Sequence, residues 1–594
     1  MSGELNRVKL HYIESVSDVN DFMSWLNKRR PVLGVDTETT GLKPWRDHVR
    51  LVQFGDNDEG WTFRWDRWGG VVKEVFAGYE SDYVFHNGKF DLAMLAQWCD
   101  TVLPPSRCHD TAIMARLLDP TGLRGLKPLA MQFIDRNAGV GQAMLEKAMH
   151  DGNWTWETIP YDVPAYTMYA AMDCVLTTRL YDILYPKVLT TCPIAYDLER
   201  EFSSVAQKIE SRGSQVDKAY TEQAFVALRQ YMDDAEKWCV DNYNVKPGSN
   251  QAVIAILAAE GISFVKQTKG GALALDADVL EDIDHPLAQT VLARRQTQKV
   301  ANTYLRNFLE MSDENGIIRP GMDAQGTVTG RMSMELFQTL PRRSEENPLA
   351  NIVRNCIIPR EDNVLLLIDF SQVEMRILAH LSSDPGLAEA FTTGDFFLNL
   401  TREIFGDETI ERKDPRRQTT KNGMYAWAYG AGAAKFAMTA GITEEAGTVF
   451  FNSIKRRFPG MEAFKHQVEK VATERLQLEG KPYVLSPFTR QPYYPKKEDK
   501  IYALVNYLIQ GSAATILKKK VVEMDNAGIA DFITLLVHDE VIADVPLDQN
   551  QEVASVMQAI MNDDKLLSVP LTATLSAGYR WGEKFDYIGS SLDV

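Results

Sequence analysis

VLLLIDFSQVEMR, residues 364–376, is the stretch on which the fold turns. Val364 to Ile368 is a continuous apolar run too short for a buried helix, and it predicts a short strand covered on both faces. It ends on Asp369. A carboxylate where a buried strand meets a loop costs free energy unless something positive meets it, and a divalent cation is the usual compensation. Far downstream the pattern returns: Ile533 to Val537 runs into His538-Asp539-Glu540, and Val541-Ile-Ala-Asp544-Val follows. That spacing predicts a hairpin with acids at its tip. Strand-borne carboxylates from distant parts of a chain can face each other across one sheet and hold paired cations about 3.5 to 4 Å apart, an arrangement suited to in-line phosphoryl transfer. Taken singly, each stretch is equally a strand end with a solvated acid.

The 594 residues should form several domains, and 45% hydrophobic with 24% charged residues is an ordinary folded composition. A net charge of -17 argues, as an average, against a nucleic-acid partner. The basic residues are nevertheless clustered, at Arg294-Arg295, Arg342-Arg343, Arg416-Arg417, Lys455-Arg456-Arg457, Lys496-Lys497 and Lys518-Lys519-Lys520. Local basic tracks can bind phosphates while acidic patches keep the molecule soluble, although any one cluster is better read as a solvated face. The 6 cysteines are scattered with no CxxC, which favours reduced thiols and argues against structural zinc. With no apolar leader and no run of membrane-spanning length, a soluble cytoplasmic protein without a membrane partner is expected.

A second acidic constellation lies in the first third. Pro31 to Val35 reads as a strand delivering Asp36-Thr37-Glu38, and alternation points Asp36 and Glu38 to the same side. Strands are expected at 49–54, 61–63 and 83–86, the last running into Asn87-Gly-Lys-Phe-Asp91, where a helix begins and a third carboxylate appears. A fourth, Asp173, falls in an amphipathic helix over about 165–184, four residues after Tyr169 and on the same face. Asp91 would also serve as a helix N-cap, and Tyr169 as core. Four carboxylates so close could not all ionise without about two divalent cations among them.

From Pro193 to about Asp313 the pattern changes to long helices, over 198–212 and 218–240, then one starting at Ser249 or Asn250, then a basic one over 291–309 carrying Arg294, Arg295, Lys299 and Arg306. Most of those charges are expected in solvent, with one or two on phosphates. Pro415 opens another helix, on which Arg417, Lys421, Tyr425 and Tyr429 fall at successive i, i+4 steps. Cations followed by rings on one stripe can grip a triphosphate and pack on a sugar and a base; an ordinary half-buried helix shows the same stripe.

These segments, in unbroken order from about Pro31 to Gly582, resemble two families joined in one chain. DFSQVEMR and VHDE resemble motifs A and C of family A DNA polymerases, the DNA polymerase I type. The stripe ending in Tyr429-Gly430 resembles motif B, RxxxKxxxFxxxYG, with Tyr425 in the Phe/Tyr position. Thr329-Gly330-Arg331, Phe337-Gln338 and Asn506 with Gln510-Gly511 resemble further signatures of that family. DTE, NGKFD and YAAMD resemble the three motifs of DnaQ-like 3′–5′ exonuclease domains, in the subtype with tyrosine. The resemblance implies a multidomain α/β and α+β fold: an RNase H-like exonuclease domain over 1–190 and a right-hand polymerase domain over 191–594. Within the latter the thumb would span about 195–313, the fingers about 384–479, and the palm about 314–383 and 480–594. A phage-type enzyme without a 5′ nuclease domain is expected.

By that resemblance Asp369, Phe370 and Asp539 would be metal ligands with Glu540 supporting, and Asp36, Glu38, Asp91 and Asp173 would hold two further ions while Tyr169 orients the attacking water. Arg417 and Lys421 would hold phosphates, with Lys421 also counted among the catalytic groups; Tyr425, Tyr429, Gly430, Gln372 and Glu374 would bound the nucleotide, Glu374 as a gate against a ribose 2′-OH. Arg331, Gln338, Asn506, Gln510 and His538 would touch primer and template, checking pair shape in the minor groove without reading sequence. The implied cofactor is Mg²⁺, two ions per site, with Mn²⁺ as a substitute; the partners are primer-template DNA and dNTPs, the protein acting as a monomer with no processivity factor implied. Three positions depart from the family pattern: Phe397 where relatives carry a phosphate-donating His, Thr339 for Asn, and Thr515 for Asp. They keep two rivals open, an exonuclease whose polymerase half only binds DNA and a noncatalytic DNA-binding scaffold.

Overall fold

Two sheets organise the chain, each built around an apolar strand that ends on acid. The computed structural model describes residues 4–28, 30–268, 270–341, 347–392 and 394–587. Strands Lys9–Tyr12 (β1), Val32–Thr39 (β2), Val49–Gly55 (β3), Glu59–Arg64 (β4), Asp82–Phe85 (β5) and Cys108–Asp110 (β6) form a six-stranded sheet in the order β1-β4-β3-β2-β5-β6. It is mixed: β2 runs antiparallel to β3 and parallel to β5. Helices Lys89–Trp98 (α1), Thr111–Leu118 (α2) and Leu126–Phe133 (α3) follow, and then Pro164–Thr191 (α4) lies across the sheet. That close approach depends on glycine. A Cβ on Gly60 would stand 2.2 Å from the Ala171 carbonyl oxygen, and one on Gly34 2.8 Å from that of Cys174. Bare backbone at those points lets α4 settle on the sheet and carry Tyr169 and Asp173 over β2.

Helix Pro193–Arg212 (α5) joins the two halves. Its first turns, with Tyr196, share a core with α2 and α4, while Phe202, Val205 and Ile209 belong to the core of the second half. Helices Lys218–Tyr243 (α6) and Pro286–Lys299 (α7) come next, and α7 continues through a π-helical segment, Val300–Leu305, into Arg306–Met311. The expected basic helix is thus present, with Lys299 and Arg306 exposed as expected, while Arg294 and Arg295 are used internally. Arg294 lies 2.7 Å from Glu236, and Arg295 donates to the Leu275 carbonyl and to Asn250 Oδ1.

The second sheet is antiparallel. Strands Asn363–Phe370 (β7), Ile533–Val537 (β8), Glu540–Pro546 (β9), Ala573–Arg580 (β10) and Glu583–Asp586 (β11) adopt the order β8-β9-β7-β10-β11. β7 is its middle strand and Val364 to Ile368 are at most 1% exposed, as the unbroken apolar run requires. Helix Val373–Ser382 (α8) follows β7; Phe396–Phe405 (α9) and Pro415–Ala428 (α10) pack on each other, and Ala503–Asn526 (α11) runs against α5 and α8. Here a sequence expectation needs correcting. Lys518 and Lys520 are neither a solvated face nor a phosphate track, because Lys518 is buried on Glu199 of α5 and Lys520 on Glu523 and Asp563. The Arg342-Arg343 pair lies outside the described residues. No described helix is long and apolar enough to cross a membrane.

Candidate active sites

In the first half, four acids gather under α4. Asp36 and Glu38 leave β2 on one side, as alternation requires. Asp91 does not cap its helix: Gly88 holds the cap position, and the Asp110 carboxylate takes the Asn87 and Gly88 N–H groups at 3.0 and 2.8 Å. Asp91 instead accepts from the Thr37 N–H at 3.0 Å and the Thr37 hydroxyl at 2.6 Å, which ties the second motif to the first. Among these acids stands a lysine that the sequence reading did not single out. Lys127, on the first turn of α3 and 7% exposed, hydrogen-bonds Asp173 and lies 4.4 Å from the centre of the Tyr169 ring.

The electrostatics follow from that crowding. Burial pushes the Asp36 carboxyl up to about 7, against the pull of Lys127. Burial and then the Asp36 charge drive Glu38 and Asp91 well above the usual carboxylate range. Burial also brings Lys127 down to about 8 despite its acidic neighbours. The Tyr169 hydroxyl, raised by burial and by Glu38 and Asp36, remains a proton donor. One ammonium cannot balance four carboxylates. This all-oxygen donor set with excess negative charge fits hard divalent cations, although among the described residues no three such side chains are drawn together into a ready-made cage.

In the second half, β8 and β9 form the expected hairpin. Its turn holds His538, at φ +57, and Asp539. Asp369 pairs in register with Glu540 across β7 and β9, so the acids of both motifs meet at one end of the sheet. Asp539 lies 3.2 Å from the Arg331 guanidinium, which also reaches Glu374 at 3.6 Å. Glu540 accepts from Trp581 Nε1 at 3.0 Å and Lys584 Nζ at 2.8 Å. Asp369 alone among these has no ion pair with a described residue. Burial, then the Asp539 and Glu540 charges, push it up to about 7. Because solvent still reaches Asp369, the repulsion is the sturdier cause. Phe370 packs in the core, so only its backbone is available to a metal.

Arg331 therefore sits inside the acid cluster, where unneutralised carboxylates attract the nearest cation. Gln338 Nε2 lies 3.2 Å from His538 Nδ1, joining two more sequence-predicted residues. Asn506 and Gln510 lie one turn apart on α11, both half-buried, and Asn506 Oδ1 has no partner among the described residues. Gln372 precedes α8 in the left-handed conformation, and the buried Glu374 accepts the Tyr429 hydroxyl.

The stripe on α10 is present. Arg417 binds the Asp395 carboxylate with Nη2 at 3.0 and 2.8 Å, and Asp395 in turn caps α9 through the Leu398 N–H. Arg412, another residue the sequence reading missed, meets the same carboxylate at 3.3 Å and is 81% exposed. Phe397 is wholly buried, 6.1 Å from the Tyr425 ring and 6.0 Å from the Lys421 ammonium, so it supports the stripe from beneath. Tyr425 and Tyr429 stand 5.8 Å apart, and Gly430, at φ +75, turns the chain against Tyr502. At the second departure, the Thr339 carbonyl accepts the Tyr304 hydroxyl from the π-helical segment.

A family model described as DNA polymerase family A matches residues 218–583, more than half of the chain. The chain belongs to that family. A second model, described as 3′-5′ exonuclease, matches residues 10–189, so the protein is a template-directed DNA polymerase that also carries a 3′–5′ exonuclease domain. The polymerase is 26% identical to the DNA polymerase of Mycobacterium phage D29, over 98% of this chain and 99% of that one. It is 25% identical to that of Mycobacterium phage L5, over 95% and 94%. With DNA polymerase I of Chloroflexus aurantiacus it shares 26% identity over 96% of this chain and 63% of that protein. It also shares the fold of a solved structure described as the POL domain of Pol1 from M. smegmatis in complex with DNA primer-template and dNTP, with a TM-score of 0.79, 23% identity, and coverage of 96% and 99%. Polymerases and exonucleases of these families depend on divalent metal ions.

Proposed function

We propose that the cluster at Asp369 and Asp539 is where this polymerase extends a primer, and that the cluster at Asp36, Glu38, Asp91 and Asp173 is where it trims one. The observation that carries the reading is the Asp369 carboxylate, which has no ion pair with a described residue and lies in register with Glu540 of the facing hairpin, beside Asp539. Asp369 and Asp539 would hold two Mg²⁺ ions, with the Phe370 carbonyl as a further ligand and Glu540 anchoring the hairpin through Trp581 and Lys584. Bound there, the ions supply Lewis-acid activation of the primer hydroxyl and neutralise the phosphates during in-line transfer.

The remaining roles belong to the chain's own side chains. Arg417, Lys421 and the exposed Arg412 bind the triphosphate by charge-assisted hydrogen bonds. Tyr425 packs on the sugar, Tyr429 and Gly430 close the template side, and Gln372 borders the nucleotide. Glu374, held by Tyr429, fills the space a 2′-hydroxyl would need. Arg331, paired with Asp539, would join Gln338, Asn506, Gln510 and His538 on the primer-template, leaving Asp539 to hold metal. In the first cluster Tyr169 donates to the attacking water. The exonuclease domain spans 1–190 and the polymerase domain 191–594, with thumb, palm and fingers divided as the sequence suggests.

The test is extension of a primed template in Mg²⁺ with matched and mismatched 3′ ends. Immediate extension of the matched end, and excision before extension of the mismatched one, is expected. Excision without extension would leave a nuclease whose second half only binds DNA.

A further inference from the structure

A cleft of about 1010 Å³ is lined by residues from both halves of the chain. One wall is formed by His86-Asn87 and by Arg124 to Leu126, segments that lead directly into Asp91 and Lys127. The other includes Gln325 and Ser333, which flank Arg331 in sequence. Most charges on these walls are already matched. Lys89 binds Glu210, Arg124 lies 3.0 Å from Asp323, and Asp110 is satisfied by backbone N–H groups.

Arg116 is different. It projects from α2 into the cleft and is 7% exposed, yet among the described residues it makes no ion pair and no side-chain hydrogen bond, and its Nε is buried without a partner. Gln325, 5% exposed and lining the same cleft, has its Nε2 buried and equally unbonded. A largely buried guanidinium without a direct ion pair is costly, and an unbonded amide donor in the lining of the same cleft adds to that cost. Burial, and then the nearby Arg124, brings the guanidinium down to about 10 against the weaker pull of Asp323 and Asp119. Planar donors lining one cleft match the oxygens of a phosphate group.

We propose that Arg116 and Gln325 bind a phosphate of the single DNA strand that bridges the extension and trimming sites. The proposal rests on the assignment of those two sites. A strand is favoured over a free nucleotide because the cleft is walled by segments leading to both acid clusters, and only a chain of phosphates reaches from one to the other. Once bound, the phosphate supplies the direct ion pair that Arg116 lacks.

The test compares Arg116→Met with wild type on three probes: excision from a mismatched primer-template, hydrolysis of a dinucleotide, and inhibition of that hydrolysis by thymidine monophosphate. The expected result is an excision rate from the duplex lowered about tenfold, with a salt dependence shallower by about one counterion. Dinucleotide hydrolysis, thymidine monophosphate inhibition and matched-primer extension stay at wild-type levels. Thermal stability is unchanged or higher, because the variant removes an unpaired buried charge. Wild-type excision from the mismatched duplex would overturn the proposal, as would equal losses on every substrate with a lowered melting temperature, which mark a structural role. An altered response to thymidine monophosphate alone would assign the phosphate to the released product and overturn the strand form. Failure of the site assignment shows separately, as wild-type protein that releases no nucleotide even from the dinucleotide. Gln325→Leu provides a second variant, expected to lower duplex excision by a smaller factor.

Discussion

The first acid cluster keeps Asp91, Asp173 and Glu38 only 4, 6 and 8% exposed around an internal ammonium, Lys127, whereas the second opens Asp369 to solvent and balances its neighbours with Arg331 and Lys584. The contrast follows from what covers each sheet. Helix α4 lies on the bare backbone of Gly34 and Gly60 and seals the first cluster, so its charges must be answered from within. The second lies at the end of a sheet where solvent reaches Asp369, and arginine and lysine side chains from neighbouring elements answer its charges. Similar carboxylate chemistry is thus held by an internal cation in one place and by rim cations in the other.

The largest expected effect separates the two clusters by activity. Asp539→Ala should lower primer extension about 1000-fold, the loss of several kcal/mol of transition-state stabilisation, while excision of a single strand persists. Asp36→Ala should give the opposite pattern. Parallel loss of both activities in either variant would break the comparison. Stability offers the next test. In chelator, Lys127→Met should cost about 3 to 5 kcal/mol, as breaking a buried ion pair does, and Arg331→Met about 1 kcal/mol or less. Denaturant melts that gave equal losses would erase the distinction between internal and rim cations.

A smaller effect concerns pH. Asp36 has its folded value pushed up to about 7, against about 4 for an unfolded aspartate. The fold therefore favours the neutral form, and this stabilising contribution is complete below about pH 4 and lost as pH rises through 7. Without metal, the melting temperature should fall between pH 5 and pH 8; Asp36→Asn should flatten that fall, and Asp369→Asn should flatten it less because solvent reaches Asp369. A slope unchanged by Asp36→Asn would contradict the assignment. The smallest effect belongs to an exposed rim cation: Arg412→Ala should raise KM for dNTPs about three- to tenfold at low salt and less at high salt. A salt-independent change would place Arg412 elsewhere.

Much of this was legible from sequence because strand periodicity and acid placement are local signals. The run Val364 to Ile368 and the alternation of Asp36 and Glu38 gave both central strands and the end of each sheet where acids collect. What sequence could not give was pairing across distance. Lys127 stands 36 positions after Asp91, in Gly125-Leu-Lys-Pro-Leu129, where nothing marks it as the counter-ion of an acid cluster. Lys518 and Lys520 looked like a basic track because their partners, Glu199 and Asp563, are remote in the chain. The pairing of Arg331 with Asp539, 208 positions away, was likewise out of reach of the sequence. Phe397 shows the reverse case: the departure was visible in sequence, but its role as a floor beneath Lys421 and Tyr425 required coordinates.

The central claim is that each cluster carries more negative charge than the protein's own cations offset, and that paired divalent ions make up the difference. Paramagnetic titration with Mn²⁺, counting ions bound to wild type, Asp36→Asn/Glu38→Gln and Asp369→Asn/Asp539→Asn on primer-template DNA, addresses it most directly. The account predicts that each double variant loses about two ions, from its own cluster only. Undiminished Mn²⁺ binding in either variant would contradict it.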